Sequence, residues 1–274
     1  MTYDLIMNIE HRFREFIPEA RRIVVKIGTR VIAQKTGRPD MRQLKNLVTQ
    51  VSRLHKQGYE VLMVSSGAVG AGVEALGMKQ RPTAVSDLQM CAAVGQARLM
   101  AHYQELFDAQ DILIGQVLLT HADFQHRIRC ANAKRTMEHM IRQGVIPIIN
   151  ENDVVADEEL KAGLSLGDND YLAALVVKLV RADVLVILST ADGVLDGNGN
   201  RVSCIENIAD ALKLVNPEKS SHLSKGGMDS KLSAAQIAMK AGCGVIIAGG
   251  RKKNVLADIM TGKDIGTLLL SNVL

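Results

Sequence analysis

Val145-Ile146-Pro147-Ile148-Ile149-Asn150-Glu151-Asn152-Asp153 passes from an unbroken apolar run into a cluster of carboxamides and carboxylates. An apolar run without alternation reads as a strand covered on both faces, the pattern of a parallel sheet lying between helices. A second polar cluster, Gly167-Asp168-Asn169-Asp170, follows and leads into a helical pattern. Carboxylates crowded after a buried strand repel one another unless a cation or an ammonium group lies between them. An α-amino group, a lysine or a metal would each satisfy them. The competing reading is a solvated turn-rich loop, because Asn, Asp and Gly are also the usual turn formers. Asp157-Glu158-Glu159, between the two clusters, reads as such a solvated run.

Working outward, strands and helices alternate, which argues a mainly parallel open sheet covered on both faces, an α/β fold. Arg22 to Gly28 reads as the first strand. Asp40 caps a helix with Leu44, Leu47, Val48, Val51 and Leu54 on one face and Gly58 as its stop. Glu60 to Ser65 is a second strand running into a glycine-rich turn, Ser66 to Gly70. Thr83 to Ala109 is helical in pattern, Ile112 to Leu119 a strand, and Phe124 to Gln143 another helix. A helix from Asp170, the strand Val184 to Leu188, and a hairpin tip at Asp196 to Asn200 come next. Helices near Ile208–Val215 and Met228–Ala241, then strands Val245–Ala248 and Thr267–Leu270, complete the reading. No Pro/Gly/Ser-rich linker divides the chain. Residues 21–274 read as one domain with two lobes, 21–180 and 181–274, the seam falling near Arg181.

The chain has 274 residues, enough for a substantial core, with 47% apolar and 23% charged residues. A net charge of +4 without a basic block, no Trp and 3% aromatic residues disfavour nucleic acid as a partner. Cys91, Cys130, Cys204 and Cys243 lie far apart and read as reduced thiols of a cytoplasmic protein. No apolar run reaches the ~18–20 residues that cross a bilayer, so no membrane partner is expected. Residues 1–20 read as an amphipathic helical extension, with Leu5, Ile6, Ile9, Phe13, Phe16 and Ile17 on one face. That face would pack on the domain or on a neighbouring subunit.

Ligands of open α/β sheets sit beyond the carboxyl ends of the strands. Lys26–Thr29, Ser65–Gly67, Asn150–Asp153 and Ser189–Thr190 all fall there, which argues for one composite site. Lys26 ends a buried strand before Gly28, a costly place for an ammonium group unless an anion pairs with it. Ser65-Ser66-Gly67-Ala68 joins a strand to a helix, so its N–H groups can hold a carboxylate or phosphate. Gly70-Ala71-Gly72-Val73-Glu74-Ala75 fits the dinucleotide pattern G-x-G-x-x-A, but it begins after the strand-end turn rather than within it. Lys225-Gly226-Gly227-Met228-Asp229-Ser230-Lys231 places glycines before a helix and a lysine in its first turn, a phosphate cradle unlike the Walker A spacing. The seven histidines, including His55, His102 and His139 on helices, show no H-E-x-x-H spacing and no catalytic arrangement.

With these motifs in view, the chain resembles the amino-acid kinase family, and within it the glutamate 5-kinases, from about Arg22 to Leu270. Val25-Lys26-Ile27-Gly28-Thr29, Ser65-Ser66-Gly67-Ala68, Ile149 to Asp153, Gly167 to Asp170 and Gly226-Gly227-Met228 carry the resemblance. It implies a three-layer α/β/α sandwich, an amino acid held by the N-terminal lobe and ATP by the C-terminal lobe. The implied reaction moves the γ-phosphoryl of ATP, with Mg²⁺, onto the side-chain carboxylate of L-glutamate, opening proline biosynthesis. By the same resemblance Ser66, Asp153 and Asn169 hold glutamate, with Asp153 suited to its ammonium group. Lys26 and Lys231 would flank the transferring phosphoryl and Asp170 would orient them. Ser189, Thr190, Lys225, Gly226, Gly227, Met228, Asp229, Ser230 and Lys231 would line the nucleotide pocket, with no metal ligand assigned. The resemblance also implies proline as feedback inhibitor, acting through the loop from Val154 to Leu166, and a homo-oligomer, dimer or tetramer. Thr190, Lys225 and the Asp196–Asn200 turn depart from the family pattern, and the chain stops where many relatives add a C-terminal PUA domain. Two further readings stand beside this one: a regulatory protein that keeps only the amino-acid pocket, and a kinase acting on acetylglutamate, aspartate or a nucleoside monophosphate.

Overall fold

The computed structural model describes residues 14–34, 36–156, 169–208, 211 and 227–270. Among these, one sheet contains β1 (Arg22–Ile27), β2 (Glu60–Ser65), β3 (Ile114–Leu119), β4 (Ile146–Glu151), β5 (Val184–Ser189), β6 (Cys204–Ile205), β7 (Gly244–Gly249) and β8 (Thr267–Leu269). The helices are α1 (Met41–Lys56), α2 (Ala68–Ala75), α3 (Val85–Asp108), α4 (His121–Gln125), α5 (Arg127–Arg142), α6 (Asn169–Val180), α7 (Met228–Lys240) and α8 (Val255–Met260). The strand order is β3-β4-β2-β1-β5-β7-β8-β6, with β8 antiparallel to β7 and the other pairs parallel.

Side-chain alternation along the strands builds two cores. Ile23, Val25 and Ile27 of β1 join Leu44, Leu47 and Val51 of α1, Leu99 and Tyr103 of α3, and Leu256 of α8. Val24, on the opposite face, joins Leu172 and Val176 of α6 and Leu232 and Ala235 of α7. Helices thus cover both faces, the expected three-layer sandwich. Each fully buried Val, Leu or Ile contributes roughly 1.5–3 kcal/mol, so the continuous apolar strands anchor the architecture.

The chain winds from β1 toward β2 on one side and, after β4, returns to place β5 on the other side of β1. Neighbouring connections therefore leave β1 and β5 in opposite directions, which opens a crevice at their carboxyl ends. The Gly28 N–H donates to Leu188 O at 3.2 Å and stitches these two strand ends together.

Several local details differ from the sequence reading. The glycine-rich turn after β2 continues into α2, although Gly70 and Gly72 weaken helix propensity. Packing explains it: a Cβ on Gly72 would lie 1.9 Å from Cys91 O, and one on Gly95 would lie 1.8 Å from Ala68 O. The glycines that imitate a dinucleotide fingerprint let α2 cross α3 at backbone distance. The helix expected from Phe124 to Gln143 is two helices, because a Thr120–Asp123 capping box starts α4 early and His126 adopts an extended conformation. β6 and α8 were too short to show a period. Asp196 Oδ1 accepts from Asn198 N at 2.9 Å and Asn200 N at 2.8 Å, and Leu195 bridges Arg201, so that turn is a hairpin tip. Of the leading apolar face, Leu5 to Phe13 lie outside the described residues; Ile17 is buried and Phe16 is exposed. The helix expected near Ile208–Val215 lies largely outside them too.

Candidate active site

Period two along β1 sets Lys26 on the face of Val24, toward α6 and α7. Asp170 stands in the first turn of α6 and Lys231 in the first turn of α7. Lys26 Nζ lies 2.5 Å from Asp170 Oδ1, and Lys231 Nζ lies 3.1 Å from Asp170 Oδ2. Ser230 Oγ donates to the same Oδ2 at 3.0 Å. Asp170 is fully buried and each lysine is 5% exposed. Burial pushes the Asp170 carboxyl up, but the Lys26 and Lys231 ammonium groups outweigh it and hold the group below its ordinary value of 3.8. Two ammonium groups thus converge on one carboxylate where little water reaches, a setting that suits a bound anion.

Helix termini add to that field. α2 opens at Gly67, whose φ of +108° requires glycine, and α7 opens at Gly227; neither has a side-chain cap. Their first N–H groups are left to a ligand, and the positive end of each helix dipole favours negative charge.

Beside the charged triad runs a chain of carboxamides. Asn169 Nδ2 donates to Ser65 O at 3.0 Å, Ser66 Oγ at 2.9 Å and Asn150 Oδ1 at 3.0 Å. Asn150 Oδ1 also accepts from Glu151 N at 2.9 Å, and Asn150 Nδ2 donates to Gln96 Oε1 at 2.8 Å. Asn169 Oδ1 is buried and accepts no hydrogen bond from the described residues. A buried acceptor without a donor costs on the order of 1–3 kcal/mol, and a bound ammonium or amide N–H would remove that cost. A cavity of about 280 Å³ adjoins this chain, walled by Ala92, Gln96, Gln116, Glu151 and Asp153.

A family model described as the amino acid kinase family matches residues 21–249. The chain belongs to the amino acid kinase family. It is 40% identical over 94% of its length to a glutamate 5-kinase of Citrifermentans bemidjiense, covering 69% of that protein. It is 37% identical over 93% of its length to a glutamate 5-kinase of Clostridium tetani, covering 96% of that protein. Among solved structures, carbamate kinase from Giardia lamblia bound to AMP-PNP aligns with a TM-score of 0.61 at 16% identity, over 92% of this chain and 99% of that one. N-acetylglutamate synthase from Neisseria gonorrhoeae, complexed with coenzyme A and L-arginine, aligns at 0.62 and 16% identity, over 96% of this chain and 65% of that one. These two show the shared fold.

In this kinase, Lys26, Lys231 and Asp170 meet in one ion-paired triad, and Ser66 and Asn169 meet in the amide chain next to it. Asp153 is half-buried on the wall of the cavity that Gln96 also lines. Ser189 and Thr190 lie at the carboxyl end of β5, where Ser189 Oγ accepts from Ala191 N at 3.4 Å and Thr190 is exposed. Gly227, Met228, Asp229 and Ser230 form the start of α7 beside the triad. Lys225, Gly226 and Asp168 lie outside the described residues.

Sequence reasoning missed two residues on α3. Tyr103 is fully buried, its phenol 2.8 Å from Ser65 Oγ. Ser65 Oγ donates to Ser66 O at 3.1 Å, so the phenol is the donor between them. Burial pushes the Tyr103 hydroxyl up to about 12. The signal was present: Tyr103 continues the buried stripe Leu88, Cys91, Gly95, Leu99, where a phenol needs a partner. Gln96 flanks that stripe and gave no comparable sign.

Proposed function

We propose that this kinase transfers the γ-phosphoryl group of ATP to the side-chain carboxylate of L-glutamate, forming γ-glutamyl phosphate and ADP at the entry to proline biosynthesis. The observation that carries the reading is the buried Lys26–Asp170–Lys231 triad, which brings two ammonium groups together at the carboxyl ends of the strands beside the amide chain. Sequence similarity to glutamate 5-kinases over nearly the whole chain supports glutamate as the acceptor.

The nucleophile is already a carboxylate, so the reaction needs no proton-abstracting base. It needs two anions brought into line and their repulsion offset. In this reading Lys26 and Lys231 flank the transferring phosphoryl, and Asp170 fixes both ammonium groups in advance. Ser66 and Asn169 hold the glutamate, Asn169 Oδ1 and Asp153 being acceptors for its ammonium group. The nucleotide lies over residues 181–274, along Ser189, Thr190 and the segment 225–231, and the amino acid over residues 21–180.

Magnesium enters as part of the nucleotide substrate. Among the described residues no group of three or more His, Cys, Asp or Glu could hold a metal, and both Asp170 oxygens already face ammonium groups. Proline is the proposed feedback inhibitor, a homo-oligomer the proposed assembly and the cytoplasm the proposed location. Four free cysteines suit a reducing compartment, and no helix among the described residues is long and apolar enough to cross a membrane.

The test is ATP-dependent hydroxamate formation from glutamate, N-acetylglutamate and aspartate in the presence of hydroxylamine. Product with glutamate, and little with the others, is expected. N-acetylglutamate lacks the ammonium group that Asp153 and Asn169 are set to accept. Absence of product with glutamate overturns the assignment.

A further inference from the structure

We propose that Gln96 is a specificity-determining residue of the amino-acid cavity, its Nε2 donating to the α-carboxylate of the bound substrate. The inference rests on the reading of this kinase as glutamate-specific and names a contact within that site. It follows from amide polarity. Glu151 N–H can only donate, so the atom of Asn150 that it meets at 2.9 Å must be Oδ1. Ser65 C=O can only accept, so the atom of Asn169 that it meets at 3.0 Å must be Nδ2. With Oδ1 of Asn150 facing Glu151 and Asn169, its Nδ2 points at Gln96 and requires an acceptor there. Gln96 supplies Oε1 at 2.8 Å. Two backbone groups therefore dictate the orientation of a side chain that touches neither.

The consequence lies on the other side of Gln96. With Oε1 committed to Asn150, Nε2 is left as a donor on a side chain that lines the 280 Å³ cavity. Among the described residues no lysine or arginine lines that cavity, and two of its walls, Glu151 and Asp153, are acidic. A free amino acid brings both an ammonium group and a carboxylate to such a space. The acidic walls suit the first, and among the described lining residues the donors open to the second are neutral. Gln96 is separated from the triad by Asn150 and Asn169, so a glutamate whose γ-carboxylate reaches toward Lys26 and Lys231 has its α-carboxylate left for the Gln96 end.

Gln96→Glu tests this while sparing the amide chain, because a carboxylate oxygen can still accept from Asn150 Nδ2. The lost N–H and the added charge should raise the glutamate KM roughly tenfold to a hundredfold. The KM for ATP and the thermal midpoint should stay near wild type. The α-carboxamide of glutamate, isoglutamine, offers N–H donors in place of the carboxylate, so Gln96→Glu should lose or reverse the preference for glutamate over isoglutamine. Gln96→Met, without donor or charge, should raise the glutamate KM by a smaller factor. An unchanged glutamate KM and unchanged preference in Gln96→Glu, with the unaltered protein active, would overturn this assignment alone. An unaltered protein that does not phosphorylate glutamate would overturn the function and this assignment with it.

Discussion

The two ends of the central sheet each carry a hollow among the described residues, and the one at the carboxyl ends adjoins the proposed site of the chemistry. At the amino ends of β1 and β2 a hollow of about 640 Å³ lies between Pro18, Arg21, Tyr59, Met260 and Thr261. At the carboxyl ends the cavity is about 280 Å³. The spacious end offers exposed ends of side chains, such as Arg21, which reaches Glu60 at 3.0 Å from an 80% exposed position. The tight end gathers a buried ion-paired triad, uncapped helix termini and polarised amides. Strand direction explains the difference, because every parallel strand delivers its following helix N-terminus, and so its positive dipole end, to the same edge.

The largest effects should come from the triad. Lys231→Ala or Lys26→Ala removes a fixed positive charge from the proposed position of the transferring phosphoryl, and turnover should fall on the order of 10²–10³-fold. Steady-state ADP release measures it, with circular dichroism to show that the fold persists. Near-normal turnover in either variant would erase the distinction between the two ends.

Asp170→Asn probes the same cluster through stability. It leaves two buried ammonium groups without their carboxylate, which should cost about 3–5 kcal/mol at neutral pH. Because the Asp170 value is depressed in the folded state, its contribution is fully present above the ordinary value of 3.8 and is lost as pH falls through the lower folded value. The stability difference between wild type and Asp170→Asn in urea titrations should therefore be constant from pH 7 to about 5 and shrink below roughly 4. A difference that grows with acid would contradict the ionised triad.

Next in size is the support beneath the site. A methyl group at position 95 would lie 1.8 Å from the Ala68 carbonyl oxygen, so Gly95→Ala must push α2 away from α3. A destabilisation of about 1–3 kcal/mol is expected from overpacking, together with a several-fold rise in glutamate KM, since Ala68 directly follows the Ser66-Gly67 turn. Tyr103→Phe removes only the phenol that donates to Ser65, and should cost about 0.5–1.5 kcal/mol in a urea melt.

These supporting residues mark where the sequence stopped being legible. The strands showed themselves because a run such as Val184 to Leu188 is apolar on both faces and cannot be exposed. Lys26, Asn169, Asp170 and Lys231 showed themselves because polar groups at strand ends and helix starts demand a reason. A rule about strand polarity gathered Lys26 with Ser65–Gly67 and Asn150–Asp153, while the meeting of Lys26, Asp170 and Lys231 was implied by the family resemblance. What stayed hidden depends on distant pairing. Gly72 and Gly95 matter because two helices cross there, and no local pattern says which glycine faces which carbonyl. Gln96 matters because Asn150, far along the chain, needs an acceptor. The helix expected after Ser65-Ser66-Gly67-Ala68 is there, but it begins at Ala68, inside the turn read to Gly70, since tertiary packing overrides the poor helix propensity of Gly70 and Gly72.

The smallest expected effect is at the opposite end, and it sharpens the comparison most directly. Arg21→Ala removes a largely solvated partner of Glu60, which keeps Arg22 at 2.8 Å. An exposed pair of this kind is worth about 0–1 kcal/mol, and the second arginine holds the carboxylate in place. Turnover, both KM values and the urea midpoint should all lie within error of wild type. A clear kinetic change would show that the 640 Å³ hollow communicates with the triad through β1, whose amino and carboxyl ends face the two sites. Strand direction would then no longer separate a chemical edge from an inert one.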